Sequence, residues 1–341
     1  MKYITYVFLL MWSILRGWAF LPRAAAQFFR NGIRYRRVKS LPIHAGGIPG
    51  DKIHFLNTGN SDAILLESNG HFALVDAAED SEYPAGRRSL AYPGWEAYVL
   101  DYVKRAAGDA QGNVTLDFVL GTHAHSDHIG GFDTLILAPG VHIGRAYLKP
   151  YDDAHMRGYE RSYWDNQIVH DQMTAALNKR GVALIEDIPG EAFALGNFTV
   201  ALFNRGHMPS GDENDNSIGV LAECNGRRAF LAGDINNISG AEHRLAGEIG
   251  RVDLLKAGHH GHNGSSTLAI AAGLRPETAV FANRGRASLW VLGRFLCAGS
   301  TKRLLSTGRF GGVIAVFGKD GIDYFAINEF IKPLPPKEAS S

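Results

Sequence analysis

Residues 121–131 read GTHAHSDHIGG, and within them His123, His125, Asp127 and His128 form an H-x-H-x-D-H cluster. Imidazoles mixed with a carboxylate suit borderline divalent ions such as zinc. Alternation along an extended segment puts His123 and His125 on one side, while the Asp127–His128 pair can turn toward a second ion nearby. The flanks fit that chemistry. TLDFVLG before the cluster is a buried-strand run, and Gly130 and Gly131 after it allow a helix to start close to the site.

Two more apolar runs end on groups that could complete such a site. RRAFLAGDI runs into Gly-Asp, which suits Asp234 to bridging two ions from a sheet edge. VDLLKAGHHGHNGSS runs into His259, His260 and His262. One of His259 and His260 is expected to bind metal and the other to serve substrate or proton transfer, and spacing does not say which.

The elements that must position these groups alternate along the chain. KIHFLN, AILLES and HFALVDA read as short strands, with a hairpin signal at Asn69-Gly70. Ala97 to Ala107 predicts a helix, GRAYLKPY a strand, and WDNQIVHDQMTAALNKRG a helix closed by Gly181. FTVALFN, SIGVLAEC and RRAFLAGD follow as strands. VDLLKAG, ETAVFAN and KRLLS then alternate with helices near 240–249, 266–273 and 288–298, and GGVIAVFG and IDYFAIN close the pattern. Hairpin-rich segments followed by helices in each half predict an α/β fold with two packed sheets and helices outside, an αββα sandwich.

With 341 residues and 45% hydrophobic content the chain can bury a full core, and one catalytic domain over 51–330 is expected, followed by a tail at 331–341. Cys224 and Cys297 are too few for a disulfide framework and lie in no metal-binding spacing, so both are expected as buried free thiols. The net charge of +1 conceals an asymmetry. Residues 1–50 hold eight of the 35 basic residues and none of the 34 acids, so residues 51–341 carry 27 against 34, about −7.

The leader, residues 1–50, starts with an apolar run from Tyr3 to Leu15, interrupted by Arg16 and followed by basic residues up to Lys39. It fits a secretory signal cut near Ala24 to Ala26, a membrane anchor over Ile4 to Leu21, or an interfacial helix with a polybasic stretch. The expected location is secreted or membrane-associated, with the cytoplasmic face also open. The Pro- and Gly-rich stretch from Ser40 to Asp51 separates the leader from the body.

Taken in order, HFLNTGNSDAILLES, LVDA, GTHAHSDHIGG, ENDNSIGVL, FLAGDI and DLLKAGHHG resemble the metallo-β-lactamase-fold hydrolases from about Lys52 to Asn328. The match looks best to two branches, the teichoic-acid phosphorylcholine esterases and the nuclease-like domain of the competence DNA-uptake channel (ComEC-type). ESNGHFALVDAAED, YLKPY, SYWDN and GDINNISGAEHRLAGEIGRVDLLK favour the esterase branch. The resemblance implies two divalent ions, zinc or manganese. His123 and His125 would hold the first, Asp127 and His128 the second, Asp234 would bridge, and His259 or His260 would complete the set. Asp76 would orient a ligand histidine. For the third ligand of the first ion the candidates are His207 and the polar run Asn214 to Ser217.

Two ions about 3.5–4 Å apart can ionise a bridging water near neutral pH and stabilise charge on a phosphoryl oxygen. The implied activity is therefore phosphodiester hydrolysis by hydroxide, with Asp127 in the catalytic set and His260, His262 or Lys256 neutralising the leaving group. Lys149 is a weaker candidate for phosphate contact. Tyr147, Tyr151, Tyr159, Tyr163 and Trp164 offer faces for a quaternary ammonium, which points to a phosphorylated envelope polymer or headgroup such as a phosphocholine ester. A nuclease is the alternative. The acidic body argues against it, although Arg284, Arg286, Arg294, Lys302, Arg303 and Arg309 could line a basic groove. A non-catalytic metal-binding module is the third reading. No oligomeric state is implied.

Overall fold

The computed structural model describes residues 38, 40–43, 48–80, 94–156, 158–208, 211–284 and 287–327. Most of the leader and the tail at 331–341 lie outside the described residues. Among those described, no helix is long and apolar enough to cross a membrane.

Period-two alternation builds the central layers. One sheet of eight strands runs, edge to edge, Ile322–Ala326, Val313–Phe317, Asp51–Phe55, Ala63–Ser68, His71–Ala77, Phe118–Leu120, Ala146–Tyr147 and Leu184–Ile185. The other, of seven, runs Arg303–Ser306, Thr278–Phe281, Leu254–Lys256, Arg227–Leu231, Gly219–Cys224, Phe198–Phe203 and Phe193–Leu195. Ile53, Phe55, Ile64, Leu66 and Val75 of the first sheet share one core with Val200, Val220, Leu231 and Val280 of the second.

The intervening residues face outward. Leu65, Leu74 and Val119 pack with Val99, Val103, Leu135 and Met173 from the helices Glu96–Ala107, Phe132–Leu137 and Asn166–Arg180. On the far side Phe230, Leu255 and Ala279 pack with Leu245, Ile270 and Phe295 from Ala241–Ile249, Leu268–Leu274 and Leu289–Ala298. Helix, sheet, sheet and helix thus stack in the αββα order. Each large side chain buried in these layers contributes about 1.5–3 kcal/mol, so the packing fixes which face every strand presents.

Three elements differ from the sequence expectation. The GRAYLKPY strand pairs only over Ala146–Tyr147. Pro150 has no N–H to continue the ladder, and Lys149 is buried with its ammonium donating to the carbonyls of Asn204, Gly206 and Asn216. Short helices at Ser126–Ile129 and Gly158–Tyr163 are too brief to leave a helical period in the sequence. Both cysteines are free; Cys224 is buried as expected, but Cys297 is only partly so.

The topology gathers the candidate groups at one edge. His71–Ala77 and Phe118–Leu120 are parallel, as are Arg227–Leu231 and Leu254–Lys256, so all four strands end on the same side of their sheets. Asp76 closes the first, and His123, Asp234 and His259 follow the other three. Asp62 stands just ahead of Ala63–Ser68, which is antiparallel to His71–Ala77, and so enters the same edge.

Candidate metal centre

Asp127, His128, Asp234 and His260 each bring one ligand atom into a group whose members lie within 4.8 Å of one another. His128 Nε2 is 3.3 Å from Asp234 Oδ1, and His260 Nε2 is 3.2 Å from Asp127 Oδ2 and 3.3 Å from Asp234 Oδ2. Asp127 Oδ1 and His128 Nε2 are buried and form no hydrogen bond. Buried polar atoms are almost always satisfied, and ligand atoms left unpaired around one point suit a cation. Two carboxylates and two imidazoles are a donor set that zinc or manganese accepts.

His123 and His125 form the neighbouring half. Their rings lie 4.5 Å apart, with His123 Nε2 3.0 Å from His125 Nδ1. His123 Nδ1 is occupied by the hydroxyls of Thr122 at 3.0 Å and Ser217 at 3.2 Å, so Nε2 is the atom it can offer. Its ring stands 4.2 Å from that of His128, which joins the two halves. The expected first-ion and second-ion pairs are therefore adjacent, with Asp234 reaching His128, His259 and His260.

Each imidazole in the second half has a carboxylate behind it. Asp76 Oδ2 lies 2.7 Å from His128 Nδ1 and also accepts from Thr122 Oγ1, while its Oδ1 accepts from the Thr122 N–H. That leaves Nε2 of His128 for the centre. Asp76 has φ 58°, a left-handed conformation in which a non-glycine residue is strained and which aims its side chain under the His cluster. For His260 the Nδ1 hydrogen bond goes to the Ala282 carbonyl at 3.1 Å, and Asp62, which the sequence pattern did not single out, adds its charge with Oδ1 3.3 Å from the same nitrogen. An acid directly ahead of a strand antiparallel to the Asp76 strand was the available signal.

His259 and His260 diverge because both sit at positive φ, 47° and 50°. The turn sends His260 Nε2 into the four-ligand group and leaves His259 Nε2 3.7 Å from Asp234 Oδ2 on its other flank. The two choices open in the sequence thus resolve to His260 in the cluster and His259 beside it. His262 is exposed, with its ring 4.9 Å from that of His259 at the rim.

Electrostatics follow from burial. Desolvation alone would lower His128 and His260, but Asp234 and the other surrounding carboxylates outweigh it and hold both well above the ordinary histidine value. Burial would raise Asp234, yet His260, His128, His259 and Lys256 pull it well below the carboxylate range. His123 is pushed well down by burial and by the neighbouring imidazoles. It is poised as a neutral ligand.

Three expectations need correction. Lys256, cast as a leaving-group donor, is fully buried; its ammonium contacts Asp62 and Asp234 and donates to the Gly233 carbonyl at 2.9 Å. It balances charge beneath the site and cannot reach a leaving group. His207 is exposed and lines a cavity of about 230 Å³ with Pro150, Tyr151, Asp152, His155 and Met156. Its loop is pinned there by Lys149, which spends its three protons on backbone carbonyls and so does not face substrate. Of the polar run, Ser217 touches His123 and accepts from the Asp234 N–H, whereas Asn216 bonds Met208 and Glu213.

The aromatic and basic sets do not assemble as drawn. Tyr147 is buried between Phe118 and Phe193, and Tyr151 is buried with its hydroxyl on Asp153, while Tyr159 and Tyr163 are exposed. Arg294 donates to the carbonyls of Asn263 and Ser265, and Lys302 and Arg303 pair with Glu277. Arg286 lies outside the described residues.

The metallo-beta-lactamase superfamily model matches residues 56–282. ComE operon protein 3 of Bacillus subtilis (strain 168) is 25% identical over 171 residues, which cover 50% of this chain and 20% of that protein. Recombination protein 2 of Haemophilus influenzae is 23% identical over 241 residues, 70% of this chain and 25% of that one. The chain therefore spans a quarter or less of the length of these curated relatives. Among solved structures, the metallo-beta-lactamase fold protein YhfI from Bacillus subtilis aligns with a TM-score of 0.45 at 13% identity, over 76% of this chain and 96% of its own.

Proposed function

Because the chain belongs to the metallo-β-lactamase superfamily, we propose that it is a two-metal hydrolase of phosphodiesters, acting on a phosphorylated envelope polymer or headgroup, with phosphocholine esters as the first substrates to test. The observation that carries the reading is the convergence of Asp127, His128, Asp234 and His260 beside the His123–His125 pair. Asp127, His128, Asp234 and His260 would hold one divalent ion, and His123 and His125 the other. When bound, such ions ionise water near neutral pH and neutralise developing charge on phosphoryl oxygens.

The protein's own groups set the stage for that chemistry. Asp76 holds Nδ1 of His128, and the Ala282 carbonyl, with Asp62 beside it, holds Nδ1 of His260, so that both rings present Nε2 to the reacting side. Lys256 keeps Asp62 and Asp234 ionised from below. His262, exposed at the rim beside His259, would be the group to meet a leaving group in place of the buried Lys256. Membrane attachment through the leader belongs to the same reading and brings the body to a surface rich in phosphoesters.

A nuclease is the second reading, and the relative called Recombination protein 2 supports it. The acidic body and the pairing of Lys302 and Arg303 with Glu277 weigh against it. The test is a hydrolysis screen of the zinc- or manganese-loaded full chain on bis-p-nitrophenyl phosphate, p-nitrophenyl phosphorylcholine, single-stranded DNA and a β-lactam. Turnover of the phosphodiesters above DNA is expected. Preference for DNA replaces the first reading with the second, preference for the β-lactam overturns both, an inert protein that holds metal supports the non-catalytic module, and a protein that holds no metal overturns all three.

A further inference from the structure

His125 differs from the other imidazoles of the centre in which nitrogen it turns inward. Its Nδ1 faces His123 Nε2 at 3.0 Å, and its Nε2 faces Glu160 Oε1 at 3.9 Å. Among the described residues, His125 Nε2 and both carboxylate oxygens of Glu160 are buried and form no hydrogen bond. Glu160 is 1% exposed, on the short helix Gly158–Tyr163, where its sequence context GYERSY suggests nothing but a solvated turn. A carboxylate is not normally buried without a partner, since the desolvation cost is several kcal/mol, of order that of a lost buried ion pair.

Glu213 adds a second buried carboxylate nearby. Its Oε1 accepts from the Ala124 N–H at 2.9 Å and its Oε2 from Asn216 at 2.8 Å, so it is committed to the backbone of the His cluster and to the Asn216 loop. Among the described residues Glu160 is not committed in this way, and it faces His125 Nε2 of the cluster. Flipping the His125 ring would set carbons against both His123 and Glu160, so the hydrogen bond to His123 and the approach of Glu160 favour the same orientation.

We propose that Glu160 is a positioning residue for the first ion. Its carboxylate accepts a hydrogen bond from the Nε2–H of His125 and so would hold the ring in the tautomer whose bare Nδ1 is free, with His123 Nε2, for one ion. The centre is then flanked by two carboxylate–imidazole pairs of opposite sense, Asp76 on Nδ1 of His128 and Glu160 on Nε2 of His125. A metal-bound histidine normally passes its other N–H to a carboxylate or carbonyl, and loss of that partner costs about 10–100-fold in metal affinity. Closing the present gap to hydrogen-bond length requires a shift of about 1 Å.

The inference rests on the two-metal reading, and its test separates the two. Zinc content of the full chain and of Glu160→Gln and Glu160→Ala is measured after dialysis against graded chelator, and the histidine tautomers of the ¹⁵N-labelled zinc-loaded protein are read by long-range ¹H–¹⁵N correlation. The wild type is expected to hold two ions with His125 as the Nε2–H tautomer. Glu160→Ala should release one ion about 10–100-fold more readily and keep the other, and Glu160→Gln, which retains an acceptor oxygen, should fall between. A wild type that holds no zinc overturns the metal reading itself. Two ions held as tightly in both variants as in the wild type, equal loosening of both ions, or His125 as the Nδ1–H tautomer overturns the role of Glu160 alone. Should Glu160→Ala not fold, Glu160→Gln and the wild-type tautomer decide.

Discussion

Asp76 and His128 meet at 2.7 Å with both side chains fully buried, and Thr122 clamps the same carboxylate through its N–H and its hydroxyl. The strand His71–Ala77 supplies one partner and the short helix Ser126–Ile129, reached from Phe118–Leu120, the other, so a parallel strand pair sets the imidazole's direction. Asp76→Asn keeps the size of the side chain but turns one acceptor into a donor facing Thr122 or His128. The affinity for the ion assigned to Asp127, His128, Asp234 and His260 is expected to fall about 10–100-fold in a zinc titration against a competing chelator. Unchanged affinity would show that Asp76 does not orient His128.

Lys256 sits between Asp62 and Asp234 with no exposed surface. Burial opposes its charge, but the two carboxylates outweigh this and keep its pKa above the ordinary lysine value. Lys256→Met removes the ammonium and preserves most of the volume. Breaking a buried pair from one side costs about 3–5 kcal/mol, to be read as a lowered urea midpoint of the metal-free protein. A loss under about 1 kcal/mol would mean that the remaining acids take up protons at little cost.

His207→Ala should keep two zinc ions per chain and leave turnover within about twofold, as for surface substitutions away from a site. Its side chain is exposed in the wall of the cavity with Tyr151 and Met156. Loss of one zinc from this variant would restore His207 as a ligand.

His54 offers a pH signature remote from the centre. It is buried, 2.7 Å from the Tyr102 hydroxyl through Nδ1 and 3.0 Å from Glu67 through Nε2. Burial lowers its pKa below 6.5, outweighing the pull of Glu67. Between that lowered value and 6.5 the unfolded chain binds more protons, so this contribution is complete above pH 6.5 and lost as pH falls below it. The slope is at most about 1.4 kcal/mol per pH unit. Urea unfolding of wild type and His54→Asn at pH 7.5 and 5.5 should show a smaller acid loss in the variant; equal losses would rule out His54 as the source.

Much of this arrangement was legible before folding. His123, His125, Asp127 and His128 fall within six residues, and Asp234 and the His259–His260 pair each follow an apolar strand through glycine, so local pattern alone exposed them. Asp62 and Glu160 were hidden for different reasons. Asp62 acts through Lys256 and His260, which reach it only when the second sheet closes over the first. Glu160 sits on a helix of six residues, too short to show a buried face.

The sequence by itself determined the ligand chemistry, the alternation that builds two sheets, and the edge at which strands stop, because each depends on residues a few positions apart. Tertiary structure alone decided which nitrogen each imidazole turns inward, that Lys256 lies beneath the site, and that His260 joins the cluster while His259 stands aside. Those outcomes depend on side-chain direction at left-handed positions such as Asp76, His259 and His260, and on which carboxylate the packing of the sheets places behind each ring. Local propensity carries no information about either.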